Sequence, residues 1–169
     1  MMTIDREAPF DTELLKSEDF WLFSLNLYGK ADIKDACIHL QDNHGADINL
    51  ILLCCWLDHK GIELHEALFD SLLQTSTYWQ NDILQPARQQ RRTTNKQAAL
   101  YNTMLNQELE LEKQEQKALL DIINASAQEQ KSTTKDNDQS LLRYGKILKL
   151  PKAVIDAFIQ TKSSFAPAY

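Results

Sequence analysis

Three groups of side chains in this chain could do chemistry. The first is a short polar turn holding Gln41, Asp42, His44, Asp47 and Asn49. Carboxylates, an amide and an imidazole gathered where a helix begins could hold a cation or a small ligand. The same residue types also cap helices, at roughly 0.5–2 kcal/mol each. Carboxylates at a helix N-terminus would repel a bound phosphate unless arginines joined them. The second group is Arg88, Arg91 and Arg92, whose i, i+3, i+4 spacing puts them on one helical face, with Lys96 nearby. They could take an external anion or a nucleic acid, or pair internally with Asp42, Asp47, Glu108 or Glu115. The third is Glu108 and Glu115, two helical turns apart with Glu112 beside them. Inward-facing glutamates are what a carboxylate-bridged di-iron bundle uses. Such a centre needs a Glu-x-x-His on each of two helices, and the chain has none. His39, His44, His59 and His65 stand at no zinc-binding spacing. Cys54 and Cys55 fall inside an apolar helix, where a thiol is shielded and hard to ionise. There is no G-x-S-x-G, P-loop or G-x-G-x-x-G. No catalytic residue, metal ligand or cofactor is expected.

The elements that must position these groups are helical. Asp47 leads into ten residues, 48–57, of which only Asn49 is polar. The run is shorter than the roughly 20 residues that span a bilayer, and it lacks the period-2 alternation of a strand, so it reads as a buried central helix over about 48–59. Gly45 and Gly61 stand where helices should stop. A first helix is expected over 18–28, with Ser17 as its cap, and a second over 32–44. A fourth is expected over 62–75. A fifth, over 76–93, should be broken or kinked at Pro86. A long sixth, over 95–127, shows a stripe of Leu100, Tyr101, Met104, Leu111, Ala118, Leu119 and Ile122, and Glu108 and Glu115 fall on that same stripe. Asn49 and the two glutamates therefore need buried partners.

The expected organisation is a loose arm over 1–16, a helical core over 17–127, a flexible linker over 128–139 and two short helices within 140–162, followed by a loose tail over 163–169. Pro151 should open the last helix. The fold class is all-α: a single bundle-like domain, with helices 1, 2, 4 and 5 around the central one and the charged sixth lying across them. With 169 residues and 43% apolar content the chain can bury a real core. Four glycines and four prolines argue against a β-sandwich. The net charge of −6 disfavours a general nucleic-acid or membrane-surface binder. The charge is uneven: residues 1–80 carry 5 Lys/Arg against 14 Asp/Glu (−9), and residues 81–169 carry 13 against 10 (+3). Three cysteines on apolar helical faces, Cys37, Cys54 and Cys55, suit reduced buried thiols in a cytoplasmic protein. The acidic N-terminus lacks the apolar stretch of a signal peptide.

The segments FWLFSLNLY (20–28), ACIHLQD (36–42), GADINLILL (45–53), the tryptophan of CCWL and PARQQRR (86–92) carry a resemblance. The chain resembles an uncharacterised proteobacterial family of small proteins of about this length, over roughly residues 18–125. A W-x-F-S-L…L-Q-D-x-x-G-x-D-x-N core is the most specific part. The resemblance implies a bacterial cytoplasmic protein and no activity. The expected function is a non-enzymatic protein-interaction or regulatory role, its partner a protein, with a homodimer through the sixth helix as one form. Membrane insertion is not expected and nucleic acid is disfavoured. The alternatives are a small-ligand or anion site, or an enzyme, using a pocket between Asp42/Asp47 and Arg88/Arg91/Arg92, and a weak nucleic-acid contact through the basic second half.

Overall fold

A computed structural model describes residues 14–126 and 130–164. The expected all-α fold is what it contains. The described residues form eight α-helices: α1 (Ser17–Tyr28), α2 (Ala31–His44), α3 (Ile48–Lys60), α4 (Glu66–Tyr78), α5 (Gln85–Arg92), α6 (Ala99–Ala125), α7 (Gln139–Ile147) and α8 (Lys152–Ser163). Two three-residue strands, β1 (Ile62–Leu64) and β2 (Gln130–Ser132), pair antiparallel with Glu63 opposite Lys131.

α3 is the buried axis, and every residue from Asn49 to Asp58 is buried. Its start is fixed by Asp47, whose side chain accepts from the Asn49 amide at 2.9 Å, leaving fewer of the first-turn donors unpaired. Gly45 ends α2 at φ 68° and Gly61 ends α3 at φ 70°, a left-handed conformation that costs any residue with a Cβ roughly 1–2 kcal/mol. Against α3 pack α1, α2, α6, α7 and β1. Phe20 of α1 stacks on Trp56 at 5.1 Å between ring centres, and Leu141 and Tyr144 of α7 join the same core as Ile155 and Phe158 of α8.

Several expectations are corrected here. α1 and α2 do lie against α3 as expected, but α7 takes a principal place beside it, while α4 and α5 pack chiefly on α6. The stretch 62–75 is not one helix, because Ile62–Leu64 is drawn off to pair with β2 and α4 begins only at Glu66. The stretch 128–139 is not a free linker in its described part. Gly61 accepts from the Thr133 amide at 2.8 Å, β2 pairs with β1, and Asp58 receives the Ser140 and Leu141 amides at 2.8 and 3.1 Å, capping α7. A side chain at position 61 would sit 2.5 Å from the Thr133 carbonyl, so this approach needs glycine. Leu15, placed in the expected loose arm, is clamped at both backbone groups by Asn124, at 2.8 and 2.9 Å; residues 1–13, and the tail beyond Ser164, lie outside the described residues.

Pro86 does not break its helix. α4 runs into α5 through a wider π-helical segment, Trp79–Leu84, with the Gln85 amide bonded to the Gln80 carbonyl. Loosening the helix before a proline accommodates its ring and its missing donor. On α6 the buried face is Glu108, Glu115, Gln116, Leu119, Leu120 and Ile123. Leu100, expected on the packing stripe, is 56% exposed. No helix among the described residues is long and apolar enough to cross a membrane.

Candidate functional site

Asp47, Asn49, Arg88, Arg91, Glu108 and Glu115 converge on one network where α3, the α4–π–α5 arm and α6 meet. Asp47 and Glu115 are 3% and 0% exposed. Asp47 caps α3, its other carboxylate oxygen accepts from Ser76 Oγ on α4 at 2.6 Å, and its backbone amide donates to the Tyr144 hydroxyl on α7 at 2.9 Å. Glu115 Oε1 accepts from Asn49 Nδ2 at 2.7 Å, and both its oxygens lie 3.2–3.3 Å from Gln80 Nε2 in the π segment. Asn49 Oδ1 in turn accepts from Gln116 Nε2, which also donates to Ser24 Oγ on α1 at 3.0 Å. One hydrogen-bonded chain therefore ties α1, α3, α4 and α6, which suits a buried amide that must find partners.

The arginines occupy the outer part of the same network. Arg91 Nε donates to Glu108 at 2.5 Å, and the Arg91 Nη2 contact at 3.3 Å makes the pair bidentate. Arg88 reaches Gln80 Oε1 at 3.0 Å, Glu112 at 3.4 Å and Glu108 at 3.5 Å. A planar guanidinium holds its charge while partly desolvated, which suits it to this place. Arg92 is exposed and makes no ion pair among the described residues, as is also so of Lys96. Helical spacing alone does not separate the three arginines; the acid-lined face of α6 lies against only two of them.

The remaining candidates stand apart. Asp42 is exposed and Gln41 half-buried on the last turn of α2, and the His44 ring lies edge-on to His39 at 5.7 Å. The expected pocket between Asp42 and the arginines is not what these positions make: Asp47 points inward into the core and Asp42 outward. Ser24, Ser76, Gln80, Gln116 and Tyr144 also belong to the network and carry no spacing signal of their own. Glu112 already stands out in the sequence beside Glu108 and Glu115, and Gln116 could have been flagged as the neighbour of Glu115.

Burial governs the electrostatics. It pushes Glu115 up to about 9, helped by the neighbouring Asp47 charge. Asp47 is raised by burial, against the opposing pull of its Ser76 hydrogen bond. Burial also raises Glu112, with the Arg88 charge opposing it. Arg91 is raised by its bond to Glu108. Among the described residues no group of three or more His, Cys, Asp or Glu is placed to hold a metal ion. A groove of about 490 Å³ lies elsewhere, between α4 and α7. There Arg143 donates to the Leu64 carbonyl at 2.6 Å and lies 5.4 Å from the Phe69 ring centre, so it fastens α7 to β1 and α4.

Comparison with known proteins gives one family. Residues 19–119 match the family described as protein of unknown function (DUF2390). No curated protein and no solved structure matches the chain. The matched span takes in α1 to most of α6, and with them every network side chain named above except Tyr144. It covers more than half of the sequence, so the chain that builds this network belongs to the DUF2390 family.

Proposed function

We propose that this protein is a non-enzymatic bacterial cytoplasmic protein that works by binding another protein, through the exposed face shared by α1 and α6. What supports this is how the polar residues are used. Arg88 and Arg91 pair with Glu108 and Glu112, and Asp47 and Glu115 are held by Asn49, Ser76 and Gln80, which leaves a substrate or free anion little to hold. Apolar side chains, by contrast, remain outside. Leu22 and Leu25 on α1 and Leu105 and Leu109 on α6 are exposed. The two helices run antiparallel, since Leu15 bonds Asn124 while Ser24 bonds Gln116. Trp21 of α1 lies beneath the Lys113 ammonium at 5.0 Å, giving the face an aromatic centre with a cation over it. Exposed apolar side chains gathered on neighbouring helices are the kind of surface that interaction sites use. The bacterial and cytoplasmic assignment rests on the sequence resemblance and on three free, buried cysteines.

The test compares wild type with a Leu105→Glu/Leu109→Glu variant that keeps the native melting temperature. Each is cross-linked in lysate from the source cells and by itself at matched concentration. A discrete partner, or a self-dimer, captured by wild type and lost in the variant is expected. Equal capture by both would overturn the assignment of this face.

A further inference from the structure

We propose that the folded protein takes up one proton and holds it between Asp47 and Glu115, where it fastens the start of α3 to α6. The two carboxyl groups flank the same residue, Asp47 accepting from the Asn49 backbone amide at 2.9 Å and Glu115 from the Asn49 side chain at 2.7 Å, and both are almost wholly removed from solvent. Among the described residues the donors that reach them are neutral: the Asn49 amide group and side chain, Ser76 Oγ and Gln80 Nε2. The charged and titratable groups facing the pair from the surrounding elements are Arg88 on α5, Glu112 on α6, with Glu108 behind it, and Tyr144 on α7. Arg88 and Arg91 are already matched by Glu108 and Glu112, so among the described residues no ion pair reaches the two carboxyls. Two adjacent buried carboxylates cannot both stay ionised under those conditions.

One proton resolves this twice over. It removes a charge, and it gives two neighbouring acceptor-only groups a donor between them. Asp47 keeps the negative charge, since it sits at the positive end of α3 and takes a backbone amide and a hydroxyl. Glu115 carries the proton, in keeping with its upward displacement by burial and by Asp47. The proton is thus a structural ligand that the unfolded chain releases near neutral pH. The inference is independent of whether the α1–α6 face meets a partner.

The test uses the full chain with 13C-labelled Asp and Glu carboxyl groups, titrated by NMR. One side-chain carboxyl should keep its protonated shift through pH 7 and titrate far above the rest, and this signal should vanish in Glu115→Gln while persisting in Glu112→Gln. In parallel, the ratio of the wild-type to Glu115→Gln unfolding constants should rise about tenfold per pH unit between pH 6 and 8, the slope for one proton. If no carboxyl is protonated at pH 7, or if that signal survives Glu115→Gln, the proposal is wrong. A ratio that stays flat with pH also overturns it. Should Glu115→Gln fail to fold, the wild-type titration still decides.

Discussion

Replacing Arg88 by alanine should destabilise the fold by about 2–3 kcal/mol. Arg88 is 14% exposed and serves three acceptors: Gln80 at 3.0 Å, Glu112 at 3.4 Å and Glu108 at 3.5 Å. Breaking a buried ion pair from one side costs about 3–5 kcal/mol. Three features reduce that figure here. Both carboxylate contacts are long, Glu112 is 30% exposed, and Glu108 retains Arg91. What is fully lost is the charged donor to Gln80, at about 1.5–3 kcal/mol, together with part of the compensation of Glu112. At roughly 2–4 °C per kcal/mol for a chain of this size, the melting temperature should fall by about 4–12 °C. The assay is urea unfolding followed by circular dichroism, with Arg92→Ala as the matched control. Arg92 lies one turn along and is exposed, so its loss should stay within about 0.5 kcal/mol. A double cycle with Glu112→Gln should return a coupling of at least about 0.5 kcal/mol. If Arg88→Ala and Arg92→Ala behave alike, the arginine–glutamate network is not what holds α5 to α6.

Three further outcomes are expected. Gly61→Ala should cost at least about 2 kcal/mol in denaturant unfolding, because it combines a left-handed φ with a Cβ 2.5 Å from the Thr133 carbonyl; a neutral result would mean that β2 is not held at this place. Asp58 is 1% exposed and burial raises its carboxyl to about 6, so its contribution is complete below pH 4 and is lost as pH rises through 6. The stability of wild type relative to Asp58→Asn should therefore fall by about 3 kcal/mol across pH 4–6 and level off above, and a rise over that window would reverse the reasoning. Burial raises the thiols of Cys37, Cys54 and Cys55, so labelling by a bulky maleimide at pH 7 should proceed only on unfolding; rapid modification of two or more in the native protein contradicts it.

The parts of the fold legible in the sequence were those set by local physics. The Asp47 cap, the glycine stops at 45 and 61 and the unbroken apolar run of α3 each depend on a few adjacent residues. The paired glutamates on the α6 stripe, together with the arginine turn at 88–92, announced that acid and base should meet, and Arg88 and Arg91 do meet Glu108. What was not legible depends on distant partners. Nothing within 62–64 distinguishes a strand from a first helical turn until 130–132 lies alongside it. The π segment before Pro86 is one of several ways a helix can absorb a proline, and the contact it makes, Gln80 with Glu115, lies 35 residues away on α6. Ser24 and Ser76 look like ordinary small polar residues, and their role appears only when Gln116 and Asp47 are brought to them. Asp42 misled for the converse reason: it sits five residues from Asp47 in sequence, yet the turn at Gly45 sends one inward and leaves the other in solvent.

The central claim is that the basic cluster is committed to the protein's own carboxylates and not held out for a ligand. The most direct measurement is 15N NMR of the arginine side chains at neutral pH, following solvent exchange of each Nε–H before and after addition of inorganic polyphosphate. Arg88 and Arg91 should show slowly exchanging Nε–H signals at dispersed shifts that polyphosphate does not move, while Arg92 exchanges rapidly. Fast exchange at all three, with Arg88 and Arg91 shifting on polyphosphate addition, would contradict it and make an external anion the purpose of the cluster.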